Sequence, residues 1–149
     1  MPATPPVSAE ATPSLVYVVG RVNQGVRREL RKALAPWGLS VPELTALSVL
    51  RARPGLSNAQ LSRRSLMTPQ SMNDVVAELE RRGLVERTVD PSHARILRTR
   101  LTHAGEELLA QVDPVVGALQ DEMLADVPPE HREIVLDGLI SCMRTLRAR

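Results

Sequence analysis

The sequence predicts a mainly α-helical chain carrying one small β-hairpin, and three observations carry that prediction. Apolar residues recur at three- and four-residue steps through most of the 149 positions. Small hydrogen-bonding residues stand where helices would begin, at Ser14, Ser40, Ser57 and Thr68. Between them and the last helices, "LVERTV" and "RILRTRL" alternate polar and apolar side chains around the turn-forming "DPSHA".

Residues 1–13 hold four prolines and small polar residues, which predicts a flexible N-terminal arm. From Ser14, the series Leu15, Val18, Val19, Val22, Val26, Leu30 and Leu34 predicts one long amphipathic helix, stopped by "PWG" at 36–38. A second helix fits "VPELTALSVLRAR", with Pro42 in its first turn and Leu44, Leu47 and Leu50 on one side. "PGLS" breaks it, and a short third helix follows Ser57. In "MTPQSMNDVVAELERRGL", Thr68 supplies an N-cap, Pro69 takes the first helical position and Gly83 closes the far end. Met72, Val75, Val76 and Leu79 form its buried stripe, leaving Gln70, Asn73, Asp74 and Ala77 on other faces. The hairpin should place Leu97, Thr99 and Leu101 on one face and Ile96, Arg98 and Arg100 on the other. From Thr102 the helical period resumes, Pro114 should kink or split it, and "DVPPEH" separates a last helix carrying Ile134, Val135, Leu139, Cys142, Met143 and Leu146.

Length suits one domain of ordinary size over 14–149. Phe is absent and Trp37 and Tyr17 are the only aromatics, so aliphatic side chains must fill the core. No run approaches the roughly 18 apolar residues of a membrane span, and the first residues do not read as a secretory signal. No membrane association and a cytoplasmic location are the expectations. Cys142 is the single cysteine, which rules out an intrachain disulfide and suggests a small core residue on a helical stripe. Charge is unevenly placed: residues 51–100 hold ten arginines against five acids, whereas 102–149 hold nine acids against four arginines. A basic middle suggests a polyanionic partner for that third of the chain.

Two short helices, 57–66 and 68–82, meet at a tight junction, and the second begins with small hydrogen-bonding residues. That is the composition of a helix-turn-helix whose second helix enters the major groove N-terminus first. Thr68, Gln70, Ser71 and Asn73 are short enough for close approach and able to bond base edges or phosphates. Arg63 and Arg64 precede the turn, where they would meet phosphates and release counterions. A basic two-stranded ribbon immediately after such a helix can reach the adjacent minor groove, with Arg95 and Arg98 as its candidate contacts. Alternatively, Arg95 pairs with Asp90 across the loop.

The order of elements, with "AELERRGLVERTVDP" followed by "LTHAGEELL" and Thr102 twelve residues beyond Asp90, resembles the MarR family of winged-helix transcriptional regulators. The resemblance runs from about residue 14 to residue 147. It implies a winged helix-turn-helix over 41–101 and dimerisation helices from both chain ends, 14–35 and 102–149. It also implies an intertwined homodimer on a pseudo-palindromic stretch of double-stranded DNA, and a small lipophilic or phenolic effector bound where the two parts meet. Tyr17, Trp37 and Leu44 are the candidate lining of that effector site.

Two positions depart from the family pattern. The wing usually carries Asp-x-Arg, and here His93, Ala94 and Arg95 occupy it, so the carboxylate that orients the arginine is missing. Asp74 stands where relatives usually have a basic residue. Enzyme chemistry finds no support: there is no Gly-rich phosphate loop, and His93, His103 and His131 lack the spacing of a metal set. No cofactor is called for. The expectation is a homodimeric, sequence-specific DNA-binding regulator, most simply a repressor released by a ligand. The alternative is a winged-helix module for protein assembly, with its DNA affinity weakened by Asp74 and the altered wing.

Overall fold

A computed structural model describes residues 12–148, so most of the arm expected over 1–13 lies outside the described residues. The first helix, α1, spans Leu15–Leu34, and Ser14 caps it by accepting from the Tyr17 amide at 3.2 Å. A 3₁₀ turn, Ala35–Trp37, and the left-handed Gly38 reverse the chain. Helix α2, Val41–Ala52, opens on a reciprocal capping box between Ser40 and Glu43. The third and fourth helices, α3 (Asn58–Arg64) and α4 (Pro69–Arg81), follow with caps at Ser57 and Thr68. Strands β2 (Val85–Asp90) and β3 (His93–Leu101) form the hairpin, and α5 (His103–Met123) and α6 (Pro129–Arg147) close the chain.

A strand that the sequence did not predict, β1 (Leu56–Ser57), joins this hairpin. The antiparallel sheet runs β1-β3-β2, with Leu56 opposite Thr99 and Ser57 opposite Arg98. The hairpin turn is tighter than expected, since Asp90 already pairs with His93 after an irregularity at Val89/Asp90. Thr99 is buried and Leu101 half-buried, as alternation requires, but Leu97 is 43 % exposed. Leu97 lies toward the hairpin turn, beyond the part of β3 that β1 pairs with, and Ile96 beside it is also partly exposed.

The core draws Leu47 and Leu50 from α2, Leu61 from α3, Met72, Val76 and Leu79 from α4, Val85 from β2, and Leu109 and Val112 from α5. Each such burial contributes about 1.5–3 kcal/mol. Two polar links tie α5 to this body: Arg51 donates bidentately to Asp113 at 2.7 and 3.1 Å, and Trp37 donates to Gln111 at 3.1 Å.

The entry to α5 explains "LTHAG". The Thr102 amide and hydroxyl donate to the carbonyls of Leu84 and Gly83, and its hydroxyl accepts from the Gly105 amide. A Cβ on Gly105 would lie 2.2 Å from the Leu84 carbonyl oxygen, so only glycine fits there. Pro114 does not split α5, which is continuous through it. Pro114 and Ala110, whose carbonyl loses the missing N–H, both lie on the exposed side, where solvation replaces that bond.

Cys142 is exposed rather than a core residue. None of α6 is buried, and Val135, Leu139, Met143 and Leu146 form an apolar stripe left largely exposed among the described residues. Leu15, Val16, Tyr17, Val18, Val19 and Val22 leave the first half of α1 in the same condition. The sequence expected these stripes to be amphipathic, and a single chain leaves them open. No single helix among the described residues is long and apolar enough to cross a membrane.

Candidate nucleic-acid interface

The start of α4 is organised by Thr68. Its hydroxyl accepts from the Ser71 amide at 3.1 Å and donates to the Ser71 hydroxyl at 2.9 Å, while its carbonyl accepts from the Met72 amide. Pro69 has no N–H, so the Gln70 amide is the first-turn donor left facing outward at the positive end of the helix. Thr68, Gln70, Ser71 and Asn73 are all exposed, while Met72, Val76 and Leu79 anchor the opposite face. All four predicted polar residues are therefore exposed at the start of α4, with Asn73 on the flank toward the wing and Ser71 on the flank toward α2.

The turn before α4 is fixed from both sides. Asn58 donates from its side chain to the Pro69 carbonyl at 3.0 Å, and the Met67 amide donates to Ser62 at 2.9 Å. Arg63 and Arg64, in the last turn of α3, are exposed and form no ion pair among the described residues. At the other end of α4, Arg82 donates to the carbonyls of Trp37 and Gly38 and lies 3.6 Å from Glu43, locking the helix to α2.

In the wing, Arg95 is exposed and without an ion-pair partner among the described residues. Asp90 does not pair with it. Instead Asp90 receives Arg98 through Nε at 2.7 Å and Nη2 at 2.6 Å, and the Ser92 amide at 2.8 Å. The Ser92 amide and then the Arg98 guanidinium hold the Asp90 carboxyl below its ordinary value of 3.8. Arg98 also donates to the Gly55 carbonyl at 2.9 Å, so it joins wing, β1 and the loop after α2. Three of its five N–H groups are thereby used within the chain, and its side chain stays 37 % exposed. Arg87 pins β2 to α4 through Glu80 at 3.1 and 3.2 Å, a link the sequence reading missed. An acid on the helix and a base on the following strand, seven residues apart, were its only signal.

Asn73 and Arg95 line one cleft of about 270 Å³ with Ser57, Asn58 and Ile96, so the outer face of α4 and the wing share a surface. Asp74 is exposed on the other flank, beside Ser71, Glu78 and Pro42 of α2. The three effector-site candidates are not neighbours within one protomer. Trp37 and Leu44 pack against the core, but Tyr17 lies near the far end of α1, about 25 Å from its C-terminus at the helical rise.

A family model described as MarR family matches residues 37–96. The chain is 40% identical over 120 residues to the HTH-type transcriptional repressor Rv2887 of Mycobacterium tuberculosis, covering 80% of this chain and 86% of that protein. The crystal structure of Rv2887 with salicylic acid superposes with a TM-score of 0.73 at 35% identity, covering 89% of this chain and 98% of that one. Its complex with DNA gives 0.74 at 33% identity, covering 88% and 98%.

Proposed function

The chain belongs to the MarR family, and from that premise we propose that it acts as a homodimeric repressor of a pseudo-palindromic DNA site. It is a sequence-specific DNA-binding transcriptional regulator. The observation that carries the detail is the outward surface formed by Gln70, Ser71 and Asn73 of α4, flanked by Arg63, Arg64 and the unpaired Arg95. With the α4 N-terminus in the major groove, these side chains meet base edges while Arg63 and Arg64 meet phosphates. Arg95 reaches the adjacent minor groove, and Arg98 holds the strand that carries it.

The apolar stripes of α1 and α6 supply the dimer. Residues 14–35 and 102–149 form its helices, and 41–101 form the winged helix-turn-helix, within one domain over 14–149. Two such lobes about 34 Å apart match successive major-groove faces of an inverted repeat. A small phenolic acid is the effector class, since the Rv2887 repressor is described in complex with salicylic acid and p-aminosalicylic acid. Trp37 and Leu44 are its candidate contacts in one protomer. The protein works in the cytoplasm and has no catalytic role.

The test is titration of labelled duplex from upstream of its own gene at several salt concentrations, with and without salicylate. Specific DNA should bind roughly a thousandfold more tightly than random duplex, with log affinity falling against log salt. Salicylate should lower that affinity. Weak binding, equal for every duplex tried, would favour the protein-assembly reading instead.

A further inference from the structure

Four described residues have positive φ, and three of them are glycines: Gly38, Gly55 and Gly83. The fourth is Leu66, at φ 54, in the turn between α3 and α4. A left-handed backbone costs a side-chain-bearing residue roughly 1–2 kcal/mol that glycine does not lose. The Leu66 side chain recovers nothing inside the fold, since it is 84 % exposed and takes no part in the core. Its local backbone bond is long as well, 3.4 Å from the Leu66 amide to the Arg63 carbonyl. The chain therefore keeps, at one position, both a strained backbone and an exposed aliphatic group, where glycine would remove both.

The position of the turn suggests what covers the side chain. Leu66 follows Arg63 and Arg64 by two or three residues and precedes the Thr68 cap by two. In the chain it stands between Arg63, Arg64 and the start of α4, the residues that the proposed function turns toward DNA, at the edge where α4 would enter the groove. The apolar groups available on duplex DNA there are the thymine 5-methyl and the deoxyribose carbons.

We propose that Leu66 is a DNA-contacting, affinity-determining residue, its isobutyl group seated against an apolar patch of thymine methyl or deoxyribose at the groove edge. The inference rests on the DNA-binding reading above, and the positively charged neighbours provide the attraction that brings the side chain to this patch. Charge alone does not select a base or a sugar position, whereas an apolar contact made only in correct register does.

Wild type, Leu66→Ala and Leu66→Gly would be titrated against a selected binding site, against random duplex, and against the site with single thymines replaced by deoxyuridine. Alanine keeps the backbone strain without the isobutyl group, and glycine removes both. Both variants should bind the selected site about tenfold more weakly, with the salt slope unchanged because no charge is lost. Leu66→Gly should also melt at a higher temperature than wild type. If one deoxyuridine position weakens wild type but neither variant, the contact is to that thymine methyl. Variant weakening with no sensitive deoxyuridine position places it on deoxyribose. Leu66→Ala binding like wild type overturns the inference alone, even if Leu66→Gly is weakened through a looser turn. A wild type that binds all duplexes equally overturns both the inference and the reading beneath it.

Discussion

Arg95 is exposed and unpaired among the described residues, whereas Arg98, three positions along the same strand, gives its donors to Asp90 and the Gly55 carbonyl. The two substitutions therefore separate by mechanism. Arg95→Ala should weaken binding to most sequences and lower the salt slope by about one unit. Arg98→Ala should weaken binding by loosening the wing while leaving most of that slope, as read by fluorescence anisotropy across a salt series. An equal drop in slope for both would return Arg98 to the DNA surface. The sequence showed both arginines as equivalent members of a basic ribbon, because the pairing that distinguishes them depends on the register of β3 and on Gly55, 43 residues away. It left open a pairing of Arg95 with Asp90, and the fold settles Asp90 on Arg98 instead. With His93 in place of the usual carboxylate, Arg95 has no ion-pair partner among the described residues, and the Asp90–Arg98 pair braces the hairpin beside its turn.

Helices and their starts were readable because their determinants are local. Ser14, Ser40, Ser57 and Thr68 each accept from a backbone amide three residues on, as their positions in the sequence predicted. The strand β1 was not readable, since two residues carry no period and their pairing with Thr99 and Arg98 is non-local. Pro114 left a kink or a break open, and α5 runs on through it without a break. The junction of hairpin and α5 gives the sharpest test at this scale. Gly105→Ala drives a methyl into the Leu84 carbonyl, and the Thr102 bonds to Gly83 and Leu84 resist the shift that would relieve it. It should cost about 3 kcal/mol in urea unfolding. Gly117→Ala, on the same helix with open space around it, should be neutral or slightly stabilising.

The molecule as a single chain has one closed core and one open apolar surface, and the second accounts for the apolar stripes of α1 and α6, while the acid excess belongs to residues 102–149 alone. Leu139, exposed on α6, can take a charge without disturbing the core. Leu139→Glu should therefore leave the melting of the winged helix little changed, raise the dimer dissociation constant roughly a hundredfold in sedimentation, and lower affinity for a two-half-site duplex. Sequence periodicity showed these stripes, but which surface they meet depends on a second copy that no intrachain pattern encodes. Selection of bound DNA from a random pool tests the central claim most directly, because it reads specificity, symmetry and spacing together. Enrichment of an inverted repeat, with half-site centres about one helical turn apart, is the predicted result. A pool that remains random after repeated selection would contradict it.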